Sequence, residues 1–277
     1  MFLALLQGAS ELFPVSSLGH TVLVPALLHW NVDRKEPTFL AFVVVLHLGT
    51  AIALVVFYRR DWARIVRALA RSVARGRLGD DPDERLGWLL VAGTIPVGIL
   101  GVFFEEPIRS LFGSSLLVSV FLIANAGVMF AGESLKRRVR AHGGVAPLAR
   151  LSYADGAKIG LSQALALLPG ISRSGVSIVS GLVLDLDHTD AARFSFLLAT
   201  PVIAAASVLE VPRILVPEAH GVLVEALVGG AISGLTAYAS VAFLTRWFHS
   251  NDLRPFGWYC LAIGTLGLVL ALTKVIT

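Results

Sequence analysis

Apolar residues in this chain come in long blocks, not in strand-like alternation or narrow helical stripes. Six blocks run Thr38–Tyr58, Leu86–Phe104, Ser114–Glu133, Thr189–Val211, Gly221–Thr245 and Pro255–Val275. Each approaches the roughly 20 residues that cross a bilayer as a helix. Two further blocks, Phe2–Trp30 and Ser152–Leu186, are interrupted, one around Pro14–Gly19 and the other around Pro169–Gly175. Each piece left by a break has about 10–15 residues, too few to cross alone. Broken backbone at membrane depth is tolerated where it lines a protein cavity. The pattern predicts an all-α integral membrane protein with six transmembrane helices plus two re-entrant helix pairs, whose tips carry the breaks.

Composition agrees. Only 15% of residues are charged and mean hydropathy is +0.77, against about 25% charged in soluble domains. No polar stretch is long enough for a second unit, so residues 1–277 read as one membrane domain. The opening Met1–Leu6 lacks a basic region and leads straight into the first break, so no cleavable signal peptide is expected. Cys260 is the only cysteine, which excludes an intrachain disulfide or a cysteine metal cluster.

The net charge of +4 and pI near 9.6 do not indicate nucleic acid, because the basic residues gather in alternate loops. Arg59, Arg60, Arg64, Arg67, Arg71, Arg75, Arg77 and Arg85 follow the first full span; Lys136, Arg137, Arg138, Arg140 and Arg150 follow the third; Arg246 and Arg254 precede the last. The intervening loops hold only Arg34 and Lys35, Arg109, and Arg213. By the positive-inside rule the arginine-rich loops are cytoplasmic. Both termini and the first re-entrant pair then belong to the outer side, and the second pair enters from the cytoplasm. The chain therefore reads as an inverted-topology repeat, roughly 1–133 and 152–277, joined by a cytoplasmic basic loop. Pro14 precedes Ser17 by three positions as Pro169 precedes Ser172, and Gly93 and Gly230 sit near the starts of comparable spans. Such repeats bring broken-helix ends together at the midplane.

The breaks are rich in chemistry. In the second, Pro169-Gly-Ile-Ser-Arg-Ser-Gly-Val-Ser177, Pro169 is expected to end the incoming helix, and Gly170 and Gly175 to permit positive φ and close approach. The outgoing helix would start near Ser174 and turn its free N–H groups to the tip, a geometry suited to phosphate. Arg173 adds a planar, permanently charged fork, and Ser172, Ser174 and Ser177 add hydroxyls. Serine caps at an ordinary helix break would explain the hydroxyls but not an arginine at membrane depth. In the first break, Gln7 and Glu11 share one helical face, and such oxygen donors can hold a divalent cation or orient water. Ser16 and Ser17 lie at the turn, where either could serve only as a cap. His20 could be nucleophile, general acid or base, or a satisfied buried histidine. Glu11 needs a partner inside the membrane, and Arg173 is the natural candidate.

Other polar residues have plainer readings. His47 lies beside Gly49 within a span and reads as packing. Glu105 and Glu106 read as solvated at an outer helix end, Thr189 or Asp187 as a cap, and Arg193 as snorkelling. The run Arg59–Arg77, with Trp62, Ile65, Val66 and Leu69 interleaved, reads as an amphipathic interfacial helix on anionic lipid.

Glu11-Leu-Phe-Pro-Val-Ser-Ser-Leu-Gly-His20 and Pro169-Gly-Ile-Ser-Arg-Ser-Gly-Val-Ser177 resemble the two signatures of the bacterial undecaprenyl pyrophosphate phosphatases, the BacA/UppP bacitracin-resistance family. Leu46-His-Leu-Gly-Thr50 and the stretch from Arg193 also look like that family. The resemblance implies hydrolysis of the C55 pyrophosphate to the monophosphate carrier of cell-wall synthesis, in the bacterial inner membrane, at a site open to the periplasmic side. It implies bacitracin resistance, since bacitracin competes by sequestering the pyrophosphate. Glu11, Ser17, His20 and Arg173 fill the family's catalytic positions, and Gln7, Ser16, Gly170, Ser172, Arg173, Ser174 and Ser177 its substrate-binding positions. Gln7 and Glu11 fill a pattern that would hold Mg²⁺ or Ca²⁺. Gln7 stands where many relatives carry Glu, which weakens a two-carboxylate metal site; Ser177 stands where Thr is common. Whether Ser17, His20 or water attacks phosphorus stays open, as does assembly as a monomer or homodimer. The rival expectation is a polyprenyl-phosphate flippase or transporter without hydrolysis, because inverted repeats with broken helices are a transporter architecture.

Overall fold

A computed structural model describes residues 1–30, 37–104, 114–142, 147–214 and 223–276. Arg34, Lys35, Glu105, Glu106 and Arg109 lie outside the described residues. Among those described there are helices and no strands. They are α1 (Phe2–Ser10), α2 (Ser17–Leu27), α3 (Pro37–Phe57), α4 (Arg59–Arg75), α5 (Pro82–Phe103), α6 (Ser115–His142), α7 (Tyr153–Ser162), α8 (Arg173–Val183), α9 (His188–Ile214), α10 (Leu223–Trp247) and α11 (Arg254–Leu272).

Five helices, α5, α6, α9, α10 and α11, are long and apolar enough to cross a membrane; α3 joins them as a sixth when taken with α4. The protein is thus a multi-pass membrane protein by the length and character of its helices. α4 leaves α3 at an 85° bend, the geometry of a helix turned along the membrane surface. Two ion pairs tie it to its neighbours: Arg64 reaches Asp83 of α5 at 3.2 Å, and Arg193 of α9 reaches Asp61 at 2.6 Å. Arg193 therefore has a fixed carboxylate partner and does not simply snorkel.

Local sequence sets the helix ends. Asp81 caps α5 through the Asp83 N–H, with Pro82 in the first turn. Ser152 and Asp155 form a reciprocal capping box on α7. Asp187, one of the two expected caps, accepts the Asp190 N–H at 2.7 Å at the start of α9.

Both predicted breaks are present, and both differ in detail from the sequence reading. α1 stops at Ser10 and the chain is non-helical until Ser16, whose φ of +69° puts an L-residue in a strained region. α7 gives way at Gln163 to a short 3₁₀ turn, Gln163–Leu167, so the helix ends ahead of Pro169 and not at it. Gly170 has the expected positive φ, +117°, and lies so close to α6 that a Cβ there would sit 2.6 Å from the Val118 carbonyl oxygen. Gly175 does not use positive φ; it lies in the first turn of α8, which starts at Arg173. A Cβ on Gly175 would come within 3.4 Å of Asn125 and of Pro14.

Candidate active site

The two tips meet, and each supplies what the other lacks. The break after α1 strands the Pro14 carbonyl, and the break before α8 strands the Ser172 N–H; buried groups of this kind need partners. Ser174 Oγ donates to the Phe13 carbonyl at 3.1 Å. Asn125, fully buried on α6, serves both tips at once: its Nδ2 donates to the Pro14 carbonyl at 3.1 Å and its Oδ1 accepts the Ser172 N–H at 3.1 Å. Ser16 and Ser172 are occupied as caps, accepting the N–H groups of Gly19 and Gly175.

This contact places Glu11 beside Arg173. Arg173 Nη2 donates to Glu11 Oε1 at 3.3 Å, so the intramembrane carboxylate has the partner expected of it. Glu11 Oε2 accepts from Ser17 Oγ at 2.6 Å and from Gln7 Nε2 at 3.0 Å. The Ser17 bond has the length of a charge-assisted hydroxyl–carboxylate bond. Gln7, Glu11 and Ser17 are all buried, so little water competes for these bonds. Arg173 Nη1 is also buried and has no hydrogen-bond partner among the described residues. An orphaned guanidinium donor next to a hydroxyl–carboxylate pair is the feature that most needs a ligand.

His47 belongs to the site, which corrects its reading as packing. Its Nδ1 donates to the Val43 carbonyl at 2.9 Å, so Nε2 holds the lone pair and accepts from Gln7 Nε2 at 3.0 Å. The two amide hydrogens of Gln7 thus go to His47 and Glu11, and the amide locks the carboxylate face towards Ser17. His47 Nε2 lies 3.6 Å from Glu11 Oε2.

Four expected residues are engaged elsewhere. No hydrogen bond joins His20 to Ser17 or Glu11 among the described residues: its Nδ1 is 2.7 Å from the Ser16 carbonyl oxygen and its Nε2 is 2.7 Å from Tyr259 Oη. Ser177 Oγ donates to the Arg173 carbonyl at 2.8 Å and pairs with Ser195 at 2.6 Å, so it braces the first turn of α8 from behind. Ser172 and Ser174 hydroxyls bond each other at 3.0 Å and face the first tip.

The donor set fits a resident divalent cation poorly. Glu11 is the only carboxylate in the site among the described residues, and both its oxygens already accept bonds. Gln7 presents its amide nitrogen to Glu11, not its oxygen. No group of three or more His, Cys, Asp or Glu side chains with metal-binding geometry occurs among the described residues.

Sequence reasoning missed Asn125 and Tyr259 and misjudged His47. The signal available was a lone polar side chain within an apolar run, since such groups are costly in hydrocarbon and are retained for a partner or a function.

The family model for the bacitracin resistance protein BacA matches residues 1–266. A protein of Chromobacterium violaceum named undecaprenyl-diphosphatase 2 is 48% identical, over 98% of this chain and 98% of its own length. An undecaprenyl-diphosphatase of Acidiphilium cryptum is 49% identical over 96% of this chain and 95% of its own, and one of Mycobacterium avium is 46% identical over 95% and 93%.

Proposed function

This chain belongs to the bacitracin resistance protein BacA family, and on that premise we propose that it hydrolyses undecaprenyl diphosphate to undecaprenyl phosphate and phosphate with Ser17 as nucleophile. The observation that carries the reading is the buried, partnerless Nη1 of Arg173 beside the Ser17–Glu11 pair. A phosphate oxygen supplies the missing acceptor and brings the terminal phosphorus to the serine. Transport alone would need the cation but not a hydroxyl held by a carboxylate at 2.6 Å.

Phosphoryl transfer depends mainly on positioning and charge neutralisation. Ser17 Oγ attacks the terminal phosphorus as its proton passes to Glu11 Oε2. The bond from that phosphorus to the bridging oxygen breaks, and undecaprenyl phosphate leaves as an anion that needs no proton. Water then attacks the phosphoserine and the bond from phosphorus to Ser17 Oγ breaks; Glu11 returns its proton to Ser17 Oγ, and both hydrogens of the water leave on the released phosphate. Arg173 counters charge on the equatorial oxygens throughout, and the first-turn N–H groups of α8 favour the same anion. Gln7 and His47 hold Glu11 in register. For the expected Mg²⁺ or Ca²⁺ the described residues offer no resident site, since Glu11 is already held by Ser17, Gln7 and Arg173.

The inverted repeat is supported by packing. α1 lies on α10 with Gly8 so close that a Cβ would be 2.2 Å from the Ser233 carbonyl oxygen; α7 lies on α5 with Gly160 equally close to the Gly93 carbonyl oxygen. The matching segments read Gly8-Ala-Ser-Glu11 and Gly160-Leu-Ser-Gln163. In this arrangement the six spans and two re-entrant pairs sit in the cytoplasmic membrane, the site opens to the periplasm, and bacitracin competes for the same diphosphate.

Phosphate release from undecaprenyl diphosphate by purified wild type, Glu11→Gln, Ser17→Ala and Arg173→Ala tests the proposal. All three variants should be severely impaired. Wild-type-like release by Ser17→Ala would remove the serine from the mechanism, and no release by the wild-type protein would return the reading to transport.

A further inference from the structure

The hydrogen bonds of His20 define the tautomer of its neutral ring. A carbonyl oxygen can only accept, so the 2.7 Å contact with Ser16 requires a proton on Nδ1. In the neutral ring the lone pair then lies on Nε2, and the Tyr259 hydroxyl 2.7 Å away is its donor. The two rings stack, with centroids 5.6 Å apart and planes 10° from parallel. His20 is buried at 4% exposure, whereas Tyr259, on α11, is 42% exposed.

One line of hydrogen bonds thus runs from Tyr259 O–H to His20 Nε2, and from His20 Nδ1–H to the carbonyl of Ser16. It ends on the one residue of the first tip with strained backbone, φ +69°, directly before Ser17. Strain of this kind persists only where the surroundings over-determine it. No hydrogen bond joins Tyr259 to Ser17, Glu11 or Arg173 among the described residues.

We infer that Tyr259 is a positioning residue for the hydrolysis and acts through His20. Its hydroxyl fixes the Nδ1–H tautomer, which holds the Ser16 carbonyl and hence the turn that aims Ser17 at Glu11. In this arrangement His20 buttresses the nucleophile's turn, and its one lone pair is capped by a phenol. The inference rests on the reading of Ser17 as nucleophile.

Tyr259→Phe keeps the ring and its stacking and removes only the hydroxyl. In the purified full-length protein with undecaprenyl diphosphate, kcat should fall roughly tenfold, the factor one hydrogen bond supplies, with KM nearly unchanged. The double variant His20→Ala/Tyr259→Phe should be no slower than His20→Ala, the non-additivity of residues acting as one unit. In ¹⁵N-histidine NMR, the resonance absent from His20→Ala should report the Nδ1–H tautomer in wild type and a tautomer mixture in Tyr259→Phe. Wild-type kcat in Tyr259→Phe, losses that multiply in the double variant, or an unchanged His20 tautomer would each overturn the inference. Undiminished turnover by Ser17→Ala would instead overturn the nucleophile assignment on which it rests.

Discussion

At Arg173 two demands meet in one side chain. Nη2 holds Glu11 while Nη1 waits on an acceptor, a division of labour that needs a planar fork and not a point charge. Arg173→Ala should lower kcat/KM about a thousandfold, in line with removal of a preorganised donor from an oxyanion site. Arg173→Lys should recover only a small part of that loss, because one ammonium cannot reach both anions in the same geometry. Full recovery by lysine in the phosphate-release assay would show that charge alone matters. Ser16 offers the opposite kind of test. Its backbone is strained but its side chain only caps α2, so Ser16→Gly should leave thermal stability unchanged or raised, since glycine relieves positive φ and is a tolerable cap. Ser16→Ala should lose roughly 1 kcal/mol, the worth of the cap. Equal melting temperatures for the two variants would contradict the strain. Arg173, Glu11 and Ser17 were legible in the sequence because charge and hydroxyls beside Pro and Gly are conspicuous in apolar surroundings. His47 was not, because its meaning depends on Gln7, which lies one helix away and forty positions earlier.

The re-entrant elements carry an unusual debt of unpaired backbone, and α6 settles much of it through Asn125. Replacing Asn125 with Ala orphans the Pro14 carbonyl and the Ser172 N–H together, at roughly 1–3 kcal/mol for each buried group. The variant should melt at lower temperature and lose kcat with it, since the tips that carry Ser17 and Arg173 are no longer tied. Loss of stability with unimpaired kcat at low temperature would show that the tips register without this clamp. The breaks themselves were readable from Pro14, Pro169 and Gly170. Their exact shape was not: the early retreat of α7 into a 3₁₀ turn at Gln163 has no local sequence marker. It follows from packing against α5, where Gly160 and Gly93 touch, and tertiary contacts of this sort override local propensity.

Across the whole molecule, hydropathy blocks made the helical, multi-pass class legible, because the bilayer and not specific partners enforces it, and arginine placement adds an expected orientation. The orientation carries its own prediction. A cysteine at Arg77, exposed just beyond α4, should be unreactive to a membrane-impermeant maleimide in intact cells and reactive in inside-out vesicles. The native Cys260 is buried and should contribute little background. Labelling in intact cells would invert the topology and move the site to the cytoplasmic side. The sequence pointed to the meeting of the two tips and to the Glu11–Arg173 pair; what it could not convey is the amide clamp by which Asn125, on a third element, ties tips more than 150 positions apart.

In the proposed mechanism Ser17, activated by Glu11 and aligned by Arg173, forms the bond to phosphorus. That step is tested most directly by acid-quenching the purified protein during turnover of undecaprenyl diphosphate labelled in its terminal phosphate, and mapping the labelled peptide. Acid-stable phosphoserine is expected at Ser17, absent from Ser17→Ala together with turnover. A Ser17→Ala variant that still releases phosphate at the wild-type rate, with label elsewhere or nowhere, would contradict it.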